Sequence, residues 1–134
     1  DSVIKLVSLV EASLPWSSVR VETYAKDVDN GMTNMNTIKS IDGWESKYLA
    51  FKWCADYGTD WYLPAKNELY AIYEARVVIN ATLSANGYTT LGTGDYWSST
   101  EDPDYDAYSL DFFRESWYIE SKNYSNYVRA VITL

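Results

Sequence analysis

The side chains best suited to bind or transform another molecule are concentrated between residues 102 and 127. This segment holds five of the thirteen tyrosines, interspersed with aspartate, serine and asparagine. Tyrosine supplies rigid amphipathic area, while serine and asparagine supply adaptable hydrogen bonds, the mixture found in antibody-like binding sites. The alternative is a set of ordinary strand tyrosines, because tyrosine has a high β-propensity. We expect recognition of a partner at this segment.

Catalytic and metal-binding chemistry has little support in the sequence. The chain has no histidine and one cysteine, which excludes Ser–His and Cys–His catalysis, an internal disulfide and a cysteine-based metal cluster within it. Asp102, Asp104 and Asp106 mimic the opening of a calcium loop. Ala107 replaces the glycine of that loop and Phe113 its closing glutamate, so solvated turn charges are the better interpretation. We predict no metal and no cofactor.

Length and charge narrow the class of protein further. The 134 residues fit one domain with a hydrophobic fraction of 47%, enough for a real core. A net charge of −8 argues against nucleic acid or an anionic membrane as partner, since both attract Lys and Arg. Apolar runs are too short to cross a bilayer. The chain opens without a signal peptide and next to a strand, which predicts a single domain, residues 1–134, excised from a larger surface protein.

Hydrophobic spacing predicts an α+β fold. Residues 3–10 read as a strand that ends before Pro15, and a short helix follows through residues 36–41. Two main helices are predicted over residues 43–57 and 65–85 by apolar residues at three- and four-residue spacing. A meander of short antiparallel strands completes the chain: Tyr96–Thr100, Ala107–Phe112, Trp117–Glu120 and Val128–Thr133.

Two Asn-Gly pairs are suited to turns or helix ends within this pattern. Asn30-Gly31 lies in a turn-rich stretch and is suited to positive φ. Asn86-Gly87 is suited to ending the second main helix.

Three segments in this order are distinctive. They are WYLPAKNEL (residues 61–69), YWSSTE (96–101) and the terminal VRAV (128–131). A Leu-Pro entry suits a helix start, and Glu68 lies where the helix dipole favours a negative charge. Together they resemble a bacterial, Bacteroidetes-type domain family. That family is similar to the C-terminal domain of the Legionella collagen-like adhesin and to the variable proteins of diversity-generating retroelements.

The resemblance implies a C-type-lectin-like fold, related to that of formylglycine-generating enzyme, in a secreted or cell-surface protein. It also implies that the segment between YWSSTE and VRAV is a ligand-binding surface, diversified by mutation of adenines in some relatives. Glu115 departs from the family where a turn glycine is common, and Tyr127 where arginine is common. The predicted ligand-binding residues are Asp104, Tyr105, Asp106, Tyr108, Ser109, Asp111, Phe113, Arg114, Ser116, Trp117, Tyr118, Glu120, Asn123, Tyr124 and Tyr127.

Three functions stay open at this stage. The first is a non-catalytic binding domain whose partner is a protein or a glycan, with a protein favoured. The second is a structural or adhesin subunit of a bacterial surface protein or fimbria. The third is a carboxylate-based glycosidase that uses Glu101 and an aspartate.

Several residues of the motifs are expected to belong to the frame. Arg129 is predicted to pair with Glu68 or Glu101, or to face solvent. Cys54 is expected to be a small buried hydrophobic residue. The residues expected in the core are Trp61, Trp97, Val128 and Val131.

Overall fold

The computed structural model describes residues 3–134. Within that range the chain forms a mixed α+β fold of five helices and seven strands. The α+β class predicted from the sequence is therefore confirmed. The helices are α1 (Gly31–Lys39), α2 (Trp44–Lys47), α3 (Leu49–Tyr57), α4 (Lys66–Glu74) and α5 (Arg76–Ala85). The strands are β1 (Lys5–Val7), β2 (Ala12–Pro15), β3 (Asp95–Glu101), β4 (Asp106–Asp111), β5 (Ser116–Ser121), β6 (Ser125–Val128) and β7 (Val131–Thr133).

The described strands form two sheets. A five-stranded sheet has the order β2-β6-β3-β4-β5, and a two-stranded sheet pairs β1 with β7. Strands β3, β4 and β5 are the antiparallel meander that the sequence predicts. The prediction is wrong for the last strands, because β6 lies beside β3 in parallel, with Tyr96 opposite Tyr127. Residues 129–130 are not in a strand, so the predicted strand 128–133 is divided between the two sheets.

Each predicted main helix is divided in two. The first breaks at Tyr48, which has φ −102° and ψ 75° and inserts a buried ring edge-on against Trp16 and Phe51. The second breaks at Ala75, whose N–H still bonds to Ala71 O while its ψ opens to 6°. Neither break coincides with Gly or Pro. The spacing of apolar residues continues across both positions, so it predicts one continuous helix in each case.

The two Asn-Gly pairs have different roles. Asn30 caps α1, because its side chain accepts the N–H groups of Met32 and Thr33. Gly31 is needed for space, since a Cβ there would lie 2.4 Å from Leu63 O. The expected positive φ at Gly31 is wrong, whereas Gly87 does adopt φ 75° and ends α5.

The buried core lies between the helices and the five-stranded sheet. Trp16 and Phe51 meet at 4.8 Å between ring centroids, and Tyr96 stacks on Phe112 at 4.4 Å. Trp97, Val128, Val131 and Cys54 are buried, as the sequence predicts. Burial raises the pKa of the Cys54 thiol well above its usual value, which keeps it protonated and unreactive. Trp61 is only half-buried.

Arg129 is buried, but with a partner that the sequence did not indicate. Its guanidinium pairs with Glu11 at 2.7 Å and donates to the carbonyls of Ser8 and Thr89. The predicted partners Glu68 and Glu101 are both engaged elsewhere. Arg129 therefore fixes the chain between the two sheets to the segment that precedes β2.

Candidate binding surface

The segment between YWSSTE and VRAV folds as the β4–β5 hairpin followed by β6. The strands of the hairpin have six residues each, in continuous register from Asp106–Ser121 to Asp111–Ser116. At about 3.3 Å per residue, the two ends of the hairpin lie roughly 17–20 Å apart. The exposed residues of the segment are consequently divided between its two ends and the outer strand β5.

One end brings together exposed side chains from three parts of the chain. Tyr105 (54% exposed) and Tyr124 (62%) come from the loops beside β4 and β5, and Tyr24 (71%) comes from the N-terminal half. Lys122 N–H donates to Tyr105 O, which joins the two loops. The residues of this region, called the loop surface from here on, are Arg20, Glu22, Tyr24, Asp104, Tyr105 and Tyr124.

Glu101, the last residue of YWSSTE, is buried beneath the loop surface and holds its backbone in place. Its buried carboxylate accepts the Thr23 N–H at 2.7 Å, the Thr23 hydroxyl at 2.9 Å and the Tyr24 N–H at 3.0 Å. These bonds fix the backbone in which Tyr24 has φ 68°. A left-handed φ is unfavourable for a residue with a large side chain. The chain therefore maintains a strained backbone that directs Tyr24 into solvent.

Lys122 neutralises Glu101 and connects the remaining loops. Its ammonium lies 2.5 Å from Glu101 and donates to the carbonyls of Val21 and Asp104 at 2.7 and 2.6 Å. It also lies 4.6 Å above the ring of Trp16. Both members of the ion pair have fully buried side chains. Burial lowers the pKa of Lys122, and the Glu101 carboxylate opposes that shift.

The charges of the loop surface are arranged around its tyrosines. The Arg20 guanidinium lies 5.7 Å from the centre of the Tyr105 ring and 3.8 Å from Asp106. Hydrogen bonding with Glu22 raises the pKa of Asp104, while bonding with Asp104, Tyr24 and Lys26 lowers the pKa of Glu22. The pKa values of these two carboxyls are therefore shifted in opposite directions.

The other end of the hairpin is a tight turn with its own positive φ. Asp111 Oδ1 accepts the N–H groups of Phe113 and Arg114, and Glu115 has φ 57°. In the family that the sequence resembles, glycine is common at this position. The Glu115 carboxylate accepts the hydroxyls of Tyr70 at 2.7 Å and Tyr73 at 3.3 Å, so contacts with α4 accompany the strained turn. Phe113 is left 72% exposed at the tip.

The structure places the predicted ligand-binding residues in different environments. Ser109 and Asp111 are buried, so they cannot contact a partner directly; the Ser109 hydroxyl also has no hydrogen-bond partner among the described residues. The exposed ones are Tyr105, Phe113, Arg114, Tyr118, Asn123, Tyr124 and Tyr127. The half-buried ones are Asp104, Asp106, Tyr108, Ser116, Trp117 and Glu120.

Three predicted aromatic residues contribute to packing as well as to the surface. The Lys66 ammonium lies 4.0 Å from the centre of the Tyr108 ring and 5.0 Å from that of Trp117, which joins β4 and β5 to α4. The Tyr127 ring lies 5.4 Å from that of Tyr96, over Gly94, where a Cβ would approach it to 2.6 Å. The interpretation as strand tyrosines therefore applies in part to Tyr108 and Tyr127.

Sequence reasoning did not identify Arg20, Glu22 and Tyr24 as part of the surface. Residues 19–26 have no regular spacing, and Glu101 and Lys122 fix them beside the hairpin, where Arg20 also contacts Tyr105 and Asp106. One feature of the sequence could have indicated them. Glu101 is an acidic residue at the end of a strand of buried character, and that strand contains no basic residue to pair with it.

The described residues contain no group of three or more acidic, cysteine or histidine side chains arranged to hold a metal ion. No described helix is long and apolar enough to cross a membrane.

The comparisons with known proteins identify a similar fold. No family model and no curated protein matches the chain. Among solved structures, the chain is similar to a fimbrial protein from Bacteroides ovatus ATCC 8483, with a TM-score of 0.74 and 15% sequence identity. The match covers 95% of this chain and 35% of that protein, so this chain spans about a third of its length. At this identity the likeness shows the fold alone.

Proposed function

We propose that the chain is a non-catalytic binding domain of a bacterial surface protein, with a C-type-lectin-like fold, whose loop surface contacts a protein partner. The observation that supports this function most strongly is the exposure of Tyr24, Tyr105 and Tyr124 above the buried Glu101–Lys122 pair. Exposed tyrosines on a rigid support have the character of binding hot spots, because little conformational freedom is lost on contact.

A protein partner is favoured over a glycan by the shape of this surface. The loop surface is made of protruding side chains on three segments, and four cavities among the described residues are all lined by other parts of the chain. Small ligands usually occupy concave sites, whereas tyrosine-rich protrusions suit a broad contact with a neighbouring protein. The charged rim of Arg20, Glu22 and Asp104 would orient that partner.

The test begins with a ligand found on an array of immobilised proteins and glycans. Its affinity is then measured for the unmodified domain and for Tyr24→Ala/Tyr105→Ala. We expect the double variant to lose at least about 2 kcal/mol of binding free energy, since hot-spot tyrosines typically cost this much on truncation. Tyr88→Ala is the matched control, because Tyr88 is 45% exposed and lies outside the loop surface. Equal affinity of the double variant, or an equal loss in Tyr88→Ala, would reject the proposal.

The second candidate is a structural or adhesin subunit of a fimbria. The similarity to a fimbrial protein favours it, together with a cell-surface location. In that case the loop surface would pack against a neighbouring domain of the same assembly. A ligand from the array that proves to be another domain of the parent protein would support this candidate over binding to an external partner.

Diversification by a retroelement is a further expectation for the segment 102–127. It predicts that sibling genes differ mainly at adenine-derived positions within that segment, while Tyr24 and Arg20 outside it stay constant. Differences spread evenly along the gene would reject diversification and leave the binding function untouched.

A further inference from the structure

A second surface lies along β1, away from the residues of the loop surface. Among the described residues, β1 pairs with β7 alone in its sheet. The ladder bonds join Leu134 N–H to Ile4 O and Ser8 N–H to Ala130 O. Because hydrogen-bonded pairs alternate along an antiparallel ladder, the backbone groups of Lys5 and Val7 point away from β7. One edge of β1 therefore presents donors and acceptors without a strand beside it.

An apolar groove follows this free edge. It has a volume of about 480 Å³ and lies between β1 and α5, with Leu6 and Leu9 on one wall and Val78, Ile79 and Leu83 on the other. Val7 lines it as well as Leu6, although neighbouring residues of a strand face opposite sides. The groove consequently runs along the edge of β1 and not beneath one face of it.

The chain around β1 is unusually apolar for an exposed edge. Val3, Ile4, Leu6, Leu9 and Val10 are each at least 39% exposed. Edge strands are normally protected by proline, a bulge or outward charges. The edge strand β2 has such a residue in its terminal proline, whereas the one charge of β1 is drawn into an ion pair with a buried glutamate of α4.

We propose that the free edge of β1 accepts an extended segment of another polypeptide, which adds as a further strand. The outward backbone groups of Lys5 and Val7 would bond to that segment, and every second side chain of it would enter the groove. The side chains that enter must be apolar. The net charge of −8 favours basic residues elsewhere in the segment.

A second copy of this chain is a poorer occupant. Two copies would bring together two domains of charge −8, and neither would supply a basic strand. Pairing between copies would be seen as backbone shifts that depend on protein concentration without any added peptide.

The test uses an isotope-labelled domain and an eight-residue peptide that alternates valine with threonine and ends in lysine at both termini. In titrations followed by amide NMR, we expect the amide protons of Lys5 and Val7 to shift and to become protected from exchange. The same peptide with a central proline should bind at least roughly tenfold more weakly, since one ladder bond is lost and the strand is interrupted.

Two pairs of variants separate edge pairing from adhesion to any apolar patch. Lys5→Ala and Lys5→Pro both remove the side chain, but only the proline removes the outward N–H. We expect Lys5→Ala to bind and Lys5→Pro to lose binding. Val77 and Val78 are 74% and 73% exposed, yet only Val78 lines the groove. Val78→Lys should weaken binding roughly tenfold and Val77→Lys should not.

Several results would overturn this inference. They are the absence of amide shifts at about 2 mM peptide, equal binding by Lys5→Ala and Lys5→Pro, shifts centred on another strand, and self-association through β1. None of them involves the loop surface, so the proposed binding function can fail or hold independently.

Discussion

Two buried glutamates, Glu68 and Glu101, have similar surroundings and opposite consequences. Glu68 accepts the N–H groups of Gly31 and Ala65, the Tyr62 hydroxyl and the Lys5 ammonium. These donors belong to regular elements or to the residues that cap them, namely α1, the N-cap of α4, β1 and the bridge of Tyr62 to β7. The Glu68 carboxylate thus joins helices and strands that already have their own hydrogen bonds.

Glu101 collects a comparable number of donors from irregular backbone. Its partners Thr23 and Tyr24 lie in a segment without helix or strand, and Lys122 lies in the turn after β5. The difference teaches that similar chemistry can stabilise the frame in one place and define an exposed surface in another. Substitutions of the two glutamates should therefore differ in the property that they change, the stability of the frame or the shape of the surface, as well as in the size of the effect.

The largest expected effect is that of Glu68→Ala. It leaves two helix-start N–H groups and a buried Tyr62 hydroxyl without their acceptor, so we expect a loss of about 3–5 kcal/mol in the free energy of unfolding. Urea denaturation measures it. Glu74→Ala is the control, because Glu74 is exposed on the same helix and should change stability by no more than about 0.5 kcal/mol. A loss below about 1 kcal/mol for Glu68→Ala would contradict the role assigned to Glu68 in the frame.

The next effect is that of Lys122→Met, which leaves Glu101 charged and buried without a cation. We expect a loss of about 3 kcal/mol. Adding Glu101→Gln removes the uncompensated charge, so the double variant should regain part of that stability. Urea denaturation of Lys122→Met, Glu101→Gln and the double variant measures this coupling. If the stability losses of the two single variants add up to that of the double variant, the side chains do not interact, and a coupled pair is contradicted.

A smaller effect is expected where Glu101 imposes strain. Tyr24→Gly relieves a left-handed φ and should raise stability by up to about 1 kcal/mol relative to Tyr24→Ala. The comparison of the two variants in thermal denaturation isolates the backbone from the lost ring. Equal stability would show that the φ of 68° at Tyr24 is not maintained in solution.

The smallest effect concerns Asp95, a half-buried carboxyl whose charged neighbours are mostly acidic. Burial, then the charges of Glu120 and Asp111, raise the pKa of Asp95 above its usual value near 3.8. A raised pKa means that the folded state prefers the protonated acid, so its stabilising contribution is lost as the pH rises through that pKa. Asp95→Asn should therefore be more stable than the unmodified domain at pH 7 and no more stable at pH 3. A constant difference at both pH values would contradict this assignment.

The sequence predicted regular elements better than it predicted the loop surface. Periodic apolar residues and the run of short β-type segments place most helices and strands, because burial of a face leaves a pattern in the chain. That pattern does not predict the helix breaks at Tyr48 and Ala75, because both arise from packing and from a local change of ψ. The pattern also does not predict that β6 lies parallel beside β3, because strand order depends on contacts between residues that are distant in sequence.

The candidate site was predicted only in part for the same reason. The exposed Tyr105 and Tyr124 lie in the segment that the motifs delimit, but Tyr24 is 81 residues before Tyr105 and follows no motif. Its place is determined by the Glu101 and Lys122 contacts, which span 77 and 101 residues of chain. Ser109 and Asp111 look like surface residues by type and are buried by the alternation of β4.

The central claim is that the buried Glu101–Lys122 pair maintains the loop surface. Amide exchange of Glu101→Gln/Lys122→Met, compared with the unmodified domain, tests it most directly. We predict unchanged protection in the β3–β4–β5 meander, together with faster exchange and altered shifts at Tyr24, Tyr105 and Tyr124. Unchanged exchange at these three tyrosines in a folded double variant would contradict the claim.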